Sequence, residues 1–155
     1  MKVTSHPNGF LKVVFDEGDD GSSLRLHAWD NHVPDDLDIH QHRADFTSTV
    51  LEGSMNEELW RYVDDPDGGW DRMTVNCWTD SEGRYHVDEA APRVRCRVEV
   101  AALLTHKKGQ TYGRPATDLH RVFPVRLPLV TLVEFGPVYH QVHTMIRKRE
   151  EVPGD

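Results

Sequence analysis

The stretch Asp38-Ile39-His40-Gln41-His42 places two histidines one residue apart in a segment rich in strand-favouring residues. Side chains alternate along a strand with a period of two, so His40 and His42 project from the same face. Two imidazoles placed in this way can bind one metal ion, because histidine is the commonest metal ligand in proteins. The same spacing also arises by chance, and two solvent-facing polar residues are the alternative interpretation.

On both sides of this stretch the chain consists of short alternating runs separated by turn residues. Runs of this kind, repeated about every 8–12 residues, predict an all-β sandwich or barrel with antiparallel strands. Residues 54–62 also have helical propensity, but their position between strands favours a strand. The predicted strands span residues 10–15, 23–29, 39–51, 54–63, 72–79, 84–87, 93–104, 119–123, 129–135 and 138–146.

The segment around the two histidines resembles the first signature of the cupin superfamily. That signature consists of a Gly, a His-x-His pair, a Glu and a second Gly at fixed intervals. This chain keeps the intervals, but a proline replaces the first Gly and a phenylalanine replaces the Glu. The matching positions are Pro34, His40, His42, Phe46 and Gly53.

A later segment resembles the second cupin signature, which ends in a third histidine. The Gly, Pro and His of that signature are kept at the family's spacing, whereas a threonine and a proline replace its second Gly and its Asn. Two such matches in the correct order are rarely accidental in a chain of this composition. The matching positions are Gly109, Pro115, Thr117, His120 and Pro124.

The resemblance implies a cupin-type double-stranded jelly-roll β-barrel. It implies a single domain over residues 1–155, with a core at about residues 10–146 and a short charged tail over residues 147–155. It also implies that His40, His42 and His120 bind a divalent metal ion near one mouth of the barrel.

Phe46 lies in phase with the two histidines of the first signature, so we expect it to point inward where the family has its glutamate ligand. Phenylalanine cannot bind a metal, which leaves three neutral imidazoles and the full charge of the ion. Such a site resembles that of the thiol dioxygenases, cupins with three histidine ligands. This resemblance implies Fe(II), with Zn, Mn or Ni as alternatives.

Two nearby carboxylates are candidates to replace the missing glutamate. Asp45 falls on the opposite face of a regular strand, so only a bulge would turn it inward. Glu52 has the correct parity, but it is ten residues after His42, roughly 30 Å away on a straight strand. Neither is favoured as a direct ligand.

A substrate site is predicted on the strand at residues 23–29. Arg25, His27 and Trp29 share one face of this strand. If that face lines the barrel, Arg25 can bind a substrate carboxylate through two parallel hydrogen bonds, beside an apolar wall that includes Phe46. The alternative is that the opposite face forms the core and these three side chains lie at the surface.

Tyr139 is the candidate catalytic residue, because the thiol dioxygenases have a tyrosine at roughly this distance after the last ligand. The match is partial, since their tyrosine is preceded by a histidine, whereas here His140 follows it. A structural role for Tyr139 is the alternative. We expect His86, His106 and His143 to be exposed or hydrogen-bonded locally.

The sequence thus predicts a non-haem metal-dependent enzyme. The leading hypothesis is an Fe(II) dioxygenase that acts on a small polar molecule and dioxygen. A metal-assisted lyase, isomerase or dehydratase is the second hypothesis. The third is a cupin that binds a small ligand without turnover, because one fold can host many chemistries.

Composition restricts the partners and the compartment. A net charge of −8 without a basic patch argues against nucleic acid and anionic membrane surfaces as partners. No signal peptide or apolar membrane span is predicted. Cys77 and Cys96 match no disulfide or zinc spacing, so we expect two buried thiols and a cytoplasmic location. A homodimer formed through sheet edges is left open.

Overall fold

The computed structural model describes residues 1–34 and 37–150, and within them the only regular secondary structure is β-strand. Every strand pairing is antiparallel. The expected all-β fold is therefore confirmed. The strands are β1 (Lys2–Ser5), β2 (Leu11–Glu17), β3 (Ser23–Trp29), β4 (Ile39–His40), β5 (Phe46–Asp64), β6 (Trp70–Thr79), β7 (Tyr85–Glu89), β8 (Val94–Lys107), β9 (Thr111–Arg114), β10 (Leu119–Phe135) and β11 (His143–Lys148).

The two longest strands differ most from the sequence prediction. The sequence predicts a break near Gly53 and another between residues 123 and 129, but β5 and β10 each continue through these points. β1 and β9 are additional to the predicted strands, because four residues carry too little alternation to be recognised. β1 lies before the expected core, and β11 ends at Lys148, inside the expected tail. Residues 151–155 of that tail lie outside the described residues.

The hydrogen-bonded ladder closes on itself. From β10 it passes through β4, β11, β6, β8 and β5 and then returns to β10, so these six strands form a barrel. Each of the six contributes a side chain to one apolar cluster, which places this cluster inside the ring. The cluster consists of Ile39, Cys96, Leu119 and Ile146, with Trp60, Trp70 and Val98 packed against it.

The facing of the side chains along β5 changes around Gly53. Before it, Phe46, Ser48 and Val50 are buried; after it, Met55 and Glu57 are buried, so the inward parity changes from even to odd. Gly53 has φ +78°, and a Cβ there would lie 2.3 Å from the carbonyl oxygen of Arg126. Only glycine is compatible with this conformation and with so close a neighbouring backbone.

β10 makes the same change opposite β5. Its register with β5 shifts between Pro124 and Val130. The first half of β10 therefore turns His120 toward the cavity, and the second half turns Thr131 and Val133 toward it. Both long strands thus bend at the same level, and each wraps around the interior of the molecule.

Both cysteines are free and buried, as expected: Cys96 lies in the barrel cluster, and Cys77 packs with Met73, Val75 and Met145. None of the described residues forms a helix long and apolar enough to cross a membrane.

Candidate metal centre

His40, His42 and His120 meet in the interior of the molecule. One ring nitrogen from each lies within 4.8 Å of those of the other two. The ring centroids are 4.9–5.1 Å apart, and the Nε2 atoms of His42 and His120 are 2.9 Å apart. Two strands distant in sequence therefore bring the histidines of both signatures to one point.

Backbone pairing fixes the positions of these three side chains. β4 has only two residues, but it lies between β10 and β11, so that His40 pairs with His120 on one side and with Met145 on the other. Beyond β4, the backbone N–H of His42 donates to the carbonyl of Ala116 at 3.2 Å. The cluster is thus held by the ladder itself and by a backbone contact next to it.

Hydrogen bonds determine which nitrogen of two imidazoles carries the hydrogen. His40 Nδ1 lies 3.2 Å from the carbonyl of Asp38, and His120 Nδ1 lies 2.8 Å from a carboxylate oxygen of Glu57. Both partners can only accept, so Nδ1–H donates and Nε2 keeps its lone pair. The set therefore fits a divalent ion, which needs imidazole lone pairs that converge on one point.

Burial keeps His40 and His42 neutral. It lowers the pKa of His40 to about 3 and, with help from the neighbouring imidazoles, holds the pKa of His42 well below its usual value. A protonated imidazole cannot bind a metal. These two imidazoles are therefore in their ligand form over the physiological pH range.

Glu57 is the residue at this site that the sequence prediction missed. Its side chain is completely buried, and it accepts hydrogen bonds from His120, His106 at 3.0 Å and Arg114 at 2.6 Å. Burial alone would raise the pKa of Glu57, but these donors outweigh it and lower the pKa to about 2. Regular alternation from His42 would turn Glu57 outward, and the change of parity at Gly53 turns it inward.

The position of the family's glutamate is occupied by an aromatic wall. Phe46 is 7% exposed, and its ring centroid lies 4.9 Å from that of His42 and 5.6 Å from that of His120. Phe135 lies 5.4 Å from His42. Phe46 therefore points inward, and no carboxylate among the described residues joins the three-histidine group.

Neither carboxylate considered as a replacement ligand reaches the cluster. Asp45 is exposed and accepts hydrogen bonds from the backbone N–H of Ala116 and the hydroxyl of Tyr139. Glu52 is exposed and pairs with Lys108 at 2.8 Å. Asp45 instead connects, through these two hydrogen bonds, the loop that contains Ala116 to the loop that contains Tyr139.

The structure does not bring Tyr139 to the cluster. Its side chain is 55% exposed and does not line the cavity that contains the histidines. The contact with Asp45 accounts for its hydroxyl group. Of the candidate site residues, Tyr139 is the one that lies apart from the others.

Arg25, His27 and Trp29 line the same cavity as the three histidines, and its volume is about 410 Å³. The alternative in which this face of β3 lies at the surface does not hold. Lys12 also lines the cavity, because it pairs with His27 in the ladder between β2 and β3. We call Lys12, Arg25, His27 and Trp29 the cationic wall, and His40, His42 and His120, with Glu57 behind them, the histidine wall.

The cationic wall has few partners for its polar groups. Within residues 1–34 and 37–150, no carboxylate lies within ion-pair distance of Lys12 or Arg25, and Glu17 at the cavity edge is farther away. Arg25 donates to Ser23 at 2.8 Å and lies over the Phe135 ring. Burial, with Arg25 nearby, lowers the pKa of Lys12 to about 8.

Two ring nitrogens of the same wall are also unpartnered. His27 Nε2 and Trp29 Nε1 are buried and have no hydrogen-bond partner among the described residues. Phe10 packs between their rings, 4.3 Å from His27 and 4.7 Å from Trp29. This wall therefore contains two cations without a carboxylate partner and two buried ring nitrogens without a hydrogen-bond partner in the described chain.

Two further histidines differ from expectation. The prediction that His106 is exposed or locally bonded is wrong, because it is buried and bonds to Glu57 on a distant strand. His143 lines the cavity, its Nε2 lies 3.7 Å from the Cys77 sulfur, and its Nδ1 is buried without a partner among the described residues. Both depend on pairing between strands far apart in sequence.

No protein-family model matches the chain, and no curated protein matches it. Solved structures resemble it at low identity. Hydroquinone 1,2-dioxygenase PnpCD, in complex with Cd2+ and 4-hydroxybenzonitrile, is 17% identical with a TM-score of 0.46, over 86% of this chain and 68% of that one. Oxalate oxidase is 16% identical with a TM-score of 0.47, over 89% of this chain and 56% of that one. KdgF from Halomonas sp. is 12% identical with a TM-score of 0.44, over 97% of this chain and 89% of that one.

Two features of the chain's own structure agree with the resemblance of the two sequence signatures. The antiparallel ladder closes into a barrel, and the histidines of both signatures meet in one cavity. The chain has an all-β fold whose antiparallel ladder closes into a barrel. It spans little more than half the length of the oxalate oxidase chain.

Proposed function

We propose that this cupin-type chain is a non-haem metal-dependent enzyme, and that its reaction is the Fe(II)-dependent dioxygenation of a small anionic molecule. The observation that carries the proposal is the convergence of His40, His42 and His120, two of them with Nδ1 held by an acceptor. A bound Fe(II) ion would supply the redox chemistry with dioxygen. Zn, Mn and Ni are the alternative ions for the same ligands.

The chain's own residues have distinct roles in this proposal. His40, His42 and His120 hold the ion. Phe46 and Phe135 pack against the histidines and exclude water from the reacting groups. This arrangement leaves the ion without a carboxylate ligand, so it favours an anionic substrate.

The cationic wall supports the choice of an anion. Arg25 can receive a carboxylate, and Lys12 beside it adds a second positive charge with no acidic partner in the described chain. His27 and Trp29 line the cavity beside these two cations. A cavity of about 410 Å³ suits a small metabolite.

The test is metal analysis of untagged protein purified without oxygen. The wild type is expected to hold stoichiometric divalent metal, and His40→Ala, His42→Ala and His120→Ala are expected to lose it. His86→Ala serves as the matched control, because His86 is bonded to Asp80 in the β6–β7 hairpin. Equal metal in the wild type and the three variants would refute the proposed site. Oxygen consumption by the iron-loaded protein then tests the reaction type.

A lyase, isomerase or dehydratase reaction is the second candidate, and His143 favours it. This histidine lines the cavity outside the three-histidine cluster, with a buried and unpartnered Nδ1 that can move a proton. Turnover without oxygen, supported by Zn or Mn and lost in His143→Gln, would establish this reaction in place of the dioxygenase. Ligand binding without turnover would indicate a binding protein.

The cellular setting is also proposed. Cys77 and Cys96 are free thiols, which is consistent with a reducing cytoplasm. A homodimer through sheet edges remains part of the proposal, since β1 and β9 form the ends of the strand order.

A further inference from the structure

The strongest feature not used by the proposed function is Glu57. A buried carboxylate is costly unless it is paired, and here three residues from three other strands pair with it. Arg114 on β9 donates at 2.6 Å, His106 on β8 lies at 3.0 Å and His120 on β10 lies at 2.8 Å. Only the last of these belongs to the metal cluster.

The carboxylate oxygens of Glu57 are bonded to their partners, and Glu57 does not line the cavity. Arg114 forms the ion pair that keeps the carboxylate ionised, and the ring of Tyr112 stacks on His106 with centroids 3.8 Å apart. The contact of Glu57 with the metal cluster is therefore the hydrogen bond that it accepts from Nδ1–H of His120. This bond is charge-assisted, and such bonds are about twice as strong as bonds between neutral groups.

The corresponding bond of His40 is weaker. Its Nδ1–H donates to the neutral carbonyl of Asp38 at 3.2 Å, compared with 2.8 Å for the bond from His120 to Glu57. A carboxylate behind an imidazole makes the far nitrogen a better electron donor and fixes the orientation of the ring. The three histidines are therefore unequal as ligands.

We infer that Glu57 is a positioning residue for the metal centre, and the inference rests on the proposed metal site. It holds His120 with Nε2 toward the other two histidines and strengthens that nitrogen as a donor. Glu57 therefore lies behind a ligand, where Arg114 also pairs with it, and not among the ligands.

The experiment compares Glu57→Gln with His106→Gln. Both changes alter the hydrogen bonding at the same carboxylate position, but only the first removes the charged acceptor of the His120 Nδ1–H. Affinities for Co(II) and Zn(II) are measured by competition with a chelator, and the visible spectrum of the Co(II) protein reports the ligand field. Thermal unfolding of the metal-free proteins confirms that both variants fold.

Glu57→Gln is expected to lose about 10- to 100-fold in metal affinity and to shift the Co(II) spectrum. His106→Gln is expected to stay within about 3-fold of the wild type, because the bond to His120 survives. Equal affinities and spectra in the wild type and Glu57→Gln would overturn the inference while leaving the metal site intact. A wild-type protein that binds neither ion would overturn the proposed function and this inference together.

A second measurement needs no variant. In 15N-labelled wild-type protein without metal, the long-range imidazole correlations of His120 are expected to show the tautomer protonated at Nδ1, with that proton shifted far downfield by the carboxylate. A His120 protonated at Nε2 instead would overturn the inference. This readout holds even if Glu57→Gln does not fold.

Discussion

The histidine wall and the cationic wall face the same cavity, but their polar groups are satisfied in opposite ways. Behind the histidine wall, His40 and His120 each have a fixed acceptor at Nδ1, and Glu57 has three donors. In the cationic wall, Lys12 and Arg25 have no carboxylate partner within the described chain, and two ring nitrogens have no partner.

Under the proposed function, one wall is preorganised for a metal ion and the other is complementary to an anionic ligand. Ligands for a metal must converge before the ion arrives, so the fold supplies their supporting hydrogen bonds. Groups that recognise a substrate must be free to bond to it. Leaving them without partners lowers the free energy of unfolding of the free protein, and the ligand supplies the missing bonds when it binds. Three sets of substitutions test this difference between the two walls.

The largest effect is expected from Gly53→Ala, which acts on the histidine wall through the backbone. A Cβ at φ +78° would lie 2.3–2.4 Å from two carbonyl oxygens of β10, so the bend must open. Destabilisation by more than about 2 kcal/mol is expected, because the strained conformation and the backbone clash add. Denaturant unfolding measures it, and Gly69→Ala is the control, since a Cβ there meets nothing within 4 Å. Equal stability of the two variants would contradict the account of β5.

The next effect is expected from Arg25→Met and Lys12→Met in the cationic wall. Calorimetry of the metal-free protein with a panel of small mono- and dicarboxylates should show about 10- to 100-fold weaker binding in each variant, since a bond to a charged group contributes about 1.5–3 kcal/mol. Arg61→Met is the control, because Arg61 is paired with Glu99 on the exposed face of β5. Carboxylates that bind the two cavity variants as tightly as the wild type would show that this wall is not the anion site.

The smallest effect is expected from His27→Leu, paired with His120→Leu. Removing the unpartnered His27 imidazole should change the free energy of unfolding by less than about 1 kcal/mol, because no hydrogen bond is lost. His120→Leu leaves Glu57 without one of its donors and should cost about 1–3 kcal/mol more. Unfolding of both metal-free variants gives the comparison. A His27→Leu protein that is as unstable as His120→Leu would show that the two walls are equally preorganised.

Local alternation was sufficient to predict part of this molecule. The strand at residues 23–29 was predicted with the bounds that the structure has, because its alternation is regular and turn residues flank it. The convergence of His40, His42 and His120 was expected from the spacing of the two signatures, and the structure brings them together. Both signals depend on short stretches of sequence.

Glu57, His106 and Lys12 could not be found in this way. Glu57 faces inward only because the parity of β5 changes around Gly53, and a single sequence shows the glycine but not the bend. His106 acquires its position from the pairing of β5 with β8, and Lys12 from the register between β2 and β3, and local periodicity specifies neither. The candidate carboxylates found in the sequence, Asp45 and Glu52, are therefore not the carboxylate that bonds to the histidine cluster in the structure, which is Glu57.

The unpaired cations of the inner wall have a consequence for how fast a ligand arrives. The chain as a whole carries a net charge of −8, so an approaching anion is repelled at long range and attracted only once it has entered. Salt screens the long-range repulsion of exposed charges more strongly than the attraction inside the cavity. The association rate of an anionic ligand is therefore expected to rise with ionic strength, opposite to the usual behaviour of electrostatically steered binding.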